Sequence, residues 1–246
     1  MTACSKLAEA FKLSEFVYAH RGLWTDGGLT ENSLEALLAA ANAGLGIEFD
    51  VRPAADGTPI VFHDPILDRM TNKTGSVADL TTVELIGTPL VGGGAIISLE
   101  GLLSAWPQTT PLLCELKVDG DTDASLFASS VGAMLIDHTG PAAAMSFSPI
   151  AVSALPSGLM RGQLVLPSEM SGATNLTDIA AGPVDYFACH VSDARHPSLQ
   201  AVRQETPLVT WTVKDAGTCE ALASITDSQI FEGFDPALAK RHILRT

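Results

Sequence analysis

Short apolar runs alternate with amphipathic stretches along most of this chain. The runs Glu15–Ala19, Ile47–Val51, Ile60–Phe62, Leu112–Val118, Ala143–Phe147, Gly162–Leu166, Tyr186–His190, Leu208–Val213 and Gln229–Phe231 have the length and apolar content of strands. Between them, apolar residues at helical spacing predict helices over Ser33–Ala43, Thr82–Ile86, Ser125–Asp137, Pro149–Leu155, Leu176–Ala180, Ser198–Glu205 and Ala216–Ser224. Asn32, with Glu35 three residues on, is expected to cap the first helix, and Gly44 to end it. Ser98 opens a further helix whose Leu99, Leu102, Leu103 and Trp106 form an apolar stripe of core type. Strands that alternate with helices imply a parallel sheet. About eight such units close into an α/β (β/α)8 TIM barrel. The less regular stretch Asp64–Ser98 forms a short insertion after the second strand, and no linker interrupts the chain, so residues 1–246 are expected to form one domain.

The length of 246 residues suits one such barrel. A hydrophobic content of 46% and a mean hydropathy of +0.26 supply its core. The net charge of −14 argues against nucleic acid and against stable association with an anionic membrane, both of which require basic faces. Cys4, Cys114, Cys189 and Cys219 lack metal-type spacing and read as free thiols of a reducing compartment. Lys6, Glu9, Lys12 and Glu15 break any secretory or membrane-spanning run, so a cytoplasmic protein is expected. Leu7, Ala10, Phe11 and Ser14 fall instead on one face of a short helix that would plug the barrel floor.

Against this apolar background the polar residues of the strands stand out. Glu48 and Asp50 are two apart in the strand Ile47–Val51, hence on one face, while Ile47, Phe49 and Val51 take the other. Two carboxylates ~4 Å apart repel by roughly 4 kcal/mol at an effective dielectric near 20, a cost that a hard divalent cation removes. Glu115 and Lys117 share a face in the next barrel strand, and His20, His63 and Trp211 also fall near strand ends. Singly, each has a bland reading: a hydrogen-bonded structural histidine, a buried Glu115–Lys117 ion pair, a core Trp211. Jointly, three acids, two histidines, Arg21 and Lys117 around one rim fit phosphodiester cleavage. Carboxylates bind Mg²⁺ or Ca²⁺ and leave ligand positions open. The cation, Arg21 and Lys117 neutralise phosphate oxygens, and two histidines serve as base and acid. Neither a Gly-Xaa-Ser-Xaa-Gly elbow nor a His-Glu-Xaa-Xaa-His motif is present, and Val91–Ala95 lacks the strand and Lys-Ser/Thr of a phosphate loop.

The ordered set His20-Arg21-Gly22, Glu31-Asn32-Ser33, Glu48-Phe49-Asp50, Val61-Phe62-His63-Asp64-Pro65, Leu67-Asp68-Arg69 and Glu115-Leu116-Lys117 resembles the glycerophosphodiester phosphodiesterase family. Ser146-Phe147-Ser148, Trp211-Thr212-Val213 and Gly233-Phe234-Asp235-Pro236 extend the resemblance over most of the chain. It implies a phosphodiesterase-type barrel hydrolysing glycerophosphodiesters to sn-glycerol 3-phosphate and an alcohol with one divalent cation, Mg²⁺ or Ca²⁺. Glu48, Asp50 and Glu115 would hold the metal, with His20 and His63 as the acid/base pair. Arg21, Glu31, Lys117 and Trp211 would meet the substrate. The alternatives are a sphingomyelinase D-like or lysophospholipid phosphodiesterase and a catalytically silent barrel that binds phosphorylated ligands. The chain departs from the family at Thr30, where proline is usual, and in its short Pro65–Gly94 segment. His190 and Asp193 are not explained by the resemblance; His190 reads as structural or as a leaving-group contact.

Overall fold

The computed structural model describes residues 11–167, 182 and 184–243. Its barrel strands are β1 (Tyr18–His20), β2 (Gly46–Pro53), β5 (Leu112–Leu116), β6 (Ala142–Ser146), β7 (Met160–Val165), β8 (Tyr186–His190), β9 (Leu208–Val213) and β10 (Ser228–Phe231). They pair in parallel in that order, and β1 pairs with both β2 and β10, so the ring is closed. The (β/α)8 expectation holds. The run at Ile60–Phe62 is not a barrel strand: β3 (Pro59–Val61) pairs antiparallel with the end of β2 and with β4 (Ile97–Ser98). The Asp56-Gly57 turn folds it back, with Gly57 at φ +80° and the Thr58 N–H donating to Asp56 Oδ1. This hairpin and α2 (Thr82–Leu85), whose capping box joins Thr81 and Glu84, form the insertion after β2.

Helices α1 (Leu34–Asn42), α3 (Leu99–Ala105), α4 (Ala124–Asp137), α5 (Pro149–Ala154), α6 (Pro197–Val202), α7 (Ala216–Leu222) and α8 (Pro236–Ile243) follow the strands. The period of two in each barrel strand separates two apolar layers. Tyr18, Leu113, Met145, Tyr186, Val209 and Ile230 fill the interior. Phe49, Cys114, Phe187 and Phe231 turn outward against helix residues such as Leu37, Leu102, Phe127 and Leu199. Each fully buried side chain of this size contributes roughly 1.5–3 kcal/mol. At Gly162 an added Cβ would lie 2.2 Å from the Tyr186 ring, so the missing side chain lets that tyrosine cross the interior. A separate core of Ile60, Phe62, Leu67, Val77, Leu85 and Ile96 anchors the insertion.

Several expectations need correction. The first strand begins at Tyr18, because Leu13–Glu15 is a 3₁₀ turn. Phe11 and Phe16 pack against the interior layer from its lower end. Of the other positions of the expected floor helix, Ser14 lies in that 3₁₀ turn, while Leu7 and Ala10 lie outside the described residues, as does Leu176–Ala180. The cap of α1 is Ser33, which accepts from the Ala36 N–H, and Asn32 is used elsewhere. Helix α8 was not expected; its short PALAKRHI stretch follows the closing glycine loop. Among the described residues no helix is long and apolar enough to cross a membrane.

The loop after β1 depends on Gly22. At φ +89°, its added Cβ would sit 2.6 Å from the Ala36 carbonyl carbon. Gly57 has φ +80° but open space around it. Gly57→Ala should therefore cost only the left-handed backbone penalty of ~1–2 kcal/mol, whereas Gly22→Ala adds a clash with backbone that cannot rotate away, for a total of about 3 kcal/mol or more. Denaturant unfolding of both variants measures this; equal losses would contradict the packing described.

Candidate functional site

The C-terminal ends of β1, β2 and β5 bring the charged residues together. Parallel register sets Asp50 beside Glu115 and His20 beside Glu48, all on the inward face. Glu48, Asp50 and Glu115 are buried and each offers an oxygen within 4.8 Å of the others. Lys117, two beyond Glu115, donates to Glu115 Oε1 at 2.6 Å and lies 3.1 Å from Asp50 Oδ1. Arg21 Nε lies 3.2 Å from Asp50 Oδ2, and its Nη1 donates to Glu31 Oε1 at 2.9 Å. Two cations thus face three acids, leaving one negative charge in excess. Among the described residues, no hydrogen bond reaches buried Glu48 Oε2. An all-oxygen donor set with an orphaned buried oxygen fits a hard divalent cation.

The protonation energetics follow this arrangement. Burial, then the Asp50 and Glu115 charges, push the Glu48 carboxyl well up. Burial pushes Glu115 up to about 7 although Lys117 opposes it. Burial would raise Asp50 too, but Lys117 and Arg21 outweigh it and hold that carboxyl far below its usual range. Asp50 is also fixed by Asn32, whose Nδ2 donates to Oδ2 at 2.9 Å. Asn32 and Arg21 are non-glycine residues in the left-handed region, at φ +56° and +57°. Such conformations cost on the order of 1–3 kcal/mol each and persist where surroundings over-determine them. Here the Arg21 N–H donates to the Glu48 carbonyl at 2.8 Å, and the Asn32 N–H donates to the Arg21 carbonyl at 3.0 Å.

Both histidines use Nδ1 on a carboxylate. His20 Nδ1 is 2.5 Å from Glu232 Oε2, with Nε2 turned toward Glu48 at 3.9 Å. His63, at the end of the β3 hairpin, has Nδ1 2.7 Å from Asp64 Oδ1, and its carbonyl accepts from Arg52 Nε at 2.5 Å. Burial lowers the His63 pKa, partly offset by Asp50. Arg69 grips Asp64 through Nε at 2.6 Å and Glu31 through Nη2 at 2.7 Å. Both Glu31 oxygens are thus taken by arginines. Trp211 belongs to a second group at the strand ends, with its ring centroid 6.0 Å from Phe147 and 5.3 Å from His190. His190 Nδ1 is 2.8 Å from Ser192 Oγ.

Sequence reasoning named His20, Arg21, Glu31, Glu48, Asp50, His63, Glu115 and Lys117, and all lie in the carboxylate cluster or its ring of hydrogen bonds. It assigned no site role to Asp64, Arg69 or Glu232, and read Asn32 as a cap. Asp64 and Arg69 sit next to or near His63 in sequence and could have been flagged. Glu232 is 212 residues from His20, with no local signal to join them.

Burial would raise the Asp64 carboxyl, but Arg69 and His63 bring it down to about 2. A depressed carboxyl stabilises the fold above its unfolded value, near 4, and that contribution is lost as pH falls toward the folded value. Urea midpoints of the wild type should therefore drop between about pH 4 and pH 2, and Asp64→Asn should flatten that slope. An identical slope in the variant would contradict the clamp.

Comparison with known proteins bears on the same residues. The model of the Glycerophosphoryl diester phosphodiesterase family matches residues 20–115, a segment running from His20 to Glu115. Glycerophosphodiester phosphodiesterase 1 of Bos taurus is 45% identical over 64 residues, covering 26% of this chain and 19% of that protein. Glycerophosphodiester phosphodiesterase of Bacillus altitudinis is 43% identical over 70 residues, 28% of each chain. The matched segments thus span less than a third of either relative. The structure of an Oleispira antarctica phosphodiesterase, solved in complex with the product sn-glycerol-3-phosphate, shares the fold with a TM-score of 0.75 at 23% identity, covering 93% of this chain and 96% of that one. The segment that resembles the Glycerophosphoryl diester phosphodiesterase family contains both histidines and all three clustered acids.

Proposed function

We propose that this chain is a phosphoric diester hydrolase that cleaves glycerophosphodiesters to sn-glycerol 3-phosphate and an alcohol. The observation that carries this reading is the pair of carboxylate-held histidines beside a buried three-acid cluster with its own Arg and Lys. Glu48, Asp50 and Glu115 would hold one Mg²⁺ or Ca²⁺, which when bound supplies positive charge to the phosphate oxygens. Arg21 and Lys117 bring further cationic donors to the same place, fixed by Asp50 and by Glu31 or Glu115. His20 and His63, each with Nδ1 engaged, keep Nε2 for proton transfer. One takes the proton of the attacking oxygen, and the other protonates the departing alkoxide. Glu31 acts through Arg21 and Arg69, since both its oxygens are occupied by them. Trp211, with its indole N–H buried and unpaired among the described residues, would line the substrate. The described cysteines are free and buried, in keeping with a cytoplasmic setting, and the closed ring supports reading residues 1–246 as one catalytic domain.

A second reading, a lysophospholipid phosphodiesterase, draws on exposed apolar side chains of loops on the site's side of the barrel. Leu29 in the loop after β1 is 41% exposed, and Ile66 and Val91 in the insertion are 47% and 54% exposed. The Thr30 hydroxyl donates to the Val91 carbonyl, which brings two of these loops together.

The test is glycerol 3-phosphate release by chelated protein given back Mg²⁺ or Ca²⁺, from glycerophosphocholine and glycerophosphoethanolamine, with choline release from lysophosphatidylcholine, whose phosphate product keeps its acyl chain, measured in parallel. Cation-dependent release from the water-soluble diesters is expected. Preferred turnover of the lysolipid would select the second reading, and no turnover of any of them would remove both. His20→Ala and His63→Ala should each lose about 10²–10⁴ in rate while binding cation with nearly unchanged affinity. Glu48→Gln should raise the cation concentration for half-maximal rate. Wild-type rates in both histidine variants would overturn their assignment.

A further inference from the structure

We infer that Glu232 is the positioning residue for His20, fixing which imidazole nitrogen faces the carboxylate cluster. The inference deepens the hydrolase reading and rests on it for its kinetic arm. Glu232 follows the last barrel strand, β10, and its N–H donates to the Val213 carbonyl at 3.0 Å, which ties it to the end of β9. Its Oε2 lies 2.5 Å from His20 Nδ1 and its Oε1 2.9 Å from Lys214 Nζ, so both oxygens have fixed partners. The His20 carbonyl in turn accepts from Trp24 Nε1 at 3.0 Å. With a carboxylate on Nδ1, the neutral ring carries its proton there and turns an unprotonated Nε2 toward Glu48. Hydrogen bonds of this type set ring tautomer and orientation, and losing them costs about 10–100-fold in activity where histidines serve a site.

The contrast with His63 sharpens the assignment. Its partner Asp64 is shared with Arg69, which donates to both Asp64 oxygens, so that carboxylate is committed elsewhere as well. Besides His20, Glu232 pairs among the described residues with Lys214, whose side chain is 70% exposed. Burial would raise the Glu232 carboxyl, but His20 and Lys214 bring it down to about 2, so it is ionised at neutral pH. Closing the barrel, which joins β10 to β1, is what delivers this carboxylate to a histidine 212 residues away.

The test is side-chain ¹⁵N NMR of His20 in cation-free protein, together with steady-state kinetics. In wild type the neutral ring should be the Nδ1–H tautomer, with that proton shifted strongly downfield by the carboxylate. Glu232→Gln should move the population toward the Nε2–H tautomer and lower kcat about 10–100-fold with little change in KM. Glu232→Asp should recover part of both, and Lys214→Met should keep the tautomer. An Nε2–H tautomer in the wild type, or an unchanged tautomer and kcat in Glu232→Gln, would overturn the inference. The wild-type spectrum decides even where a variant does not fold. Absence of turnover in the wild type removes the hydrolase reading, while the tautomer measurement still decides the role of Glu232.

Discussion

Three carboxylates on two neighbouring strands, buried within 4.8 Å of one another, are the constraint on which the rest of the site depends. Unpaired, such a cluster is costly, since each buried charge loses its hydration and repels the others. The structure answers with Lys117 and Arg21, which hold Asp50 ionised while Glu48 and Glu115 are driven toward their protonated forms. One acid is thereby set apart from the other two. The arrangement is incomplete as a salt-bridge network and well suited to a cation that displaces protons and shares the remaining oxygens.

Around this centre, charge alternates outward in a chain. Asp50 holds Arg21, Arg21 holds Glu31, Glu31 holds Arg69, and Arg69 holds Asp64, which reaches His63. The chain links the loop after β1 to the insertion after β2, so two segments that are separate in sequence support each other's geometry. The left-handed backbone at Arg21 and Asn32 belongs to the same device. It turns the Arg21 side chain back onto Asp50 and lets Asn32 reach that carboxylate as well. Strain of this kind is tolerable because several hydrogen bonds converge on the two residues.

Much of this was legible in the chain. Period two along Ile47–Val51 separates Glu48 and Asp50 from Ile47, Phe49 and Val51, and the structure turns the second set to the helices and the first inward. The alternation of strands and helices implied the barrel because a parallel sheet needs helical crossovers. What local pattern could not carry was tertiary. Ile60–Phe62 has strand composition, yet only its antiparallel pairing with β2 excludes it from the ring. Asn32 looks like a helix cap because a capping asparagine and a left-handed one that reaches a carboxylate have the same local sequence; Ser33 took the cap. Glu232 had no neighbour to mark it, since its partner is brought to it by closure of the ring.

The most direct test of the central claim is calorimetric titration of chelated protein with Mg²⁺ and with Ca²⁺, repeated on a Glu48→Gln/Glu115→Gln double variant. Binding of one ion per chain by the wild type, with its loss in the folded double variant, is the predicted result. No binding of either ion by the wild type, or undiminished binding by the double variant, would contradict the account of these carboxylates as a metal centre.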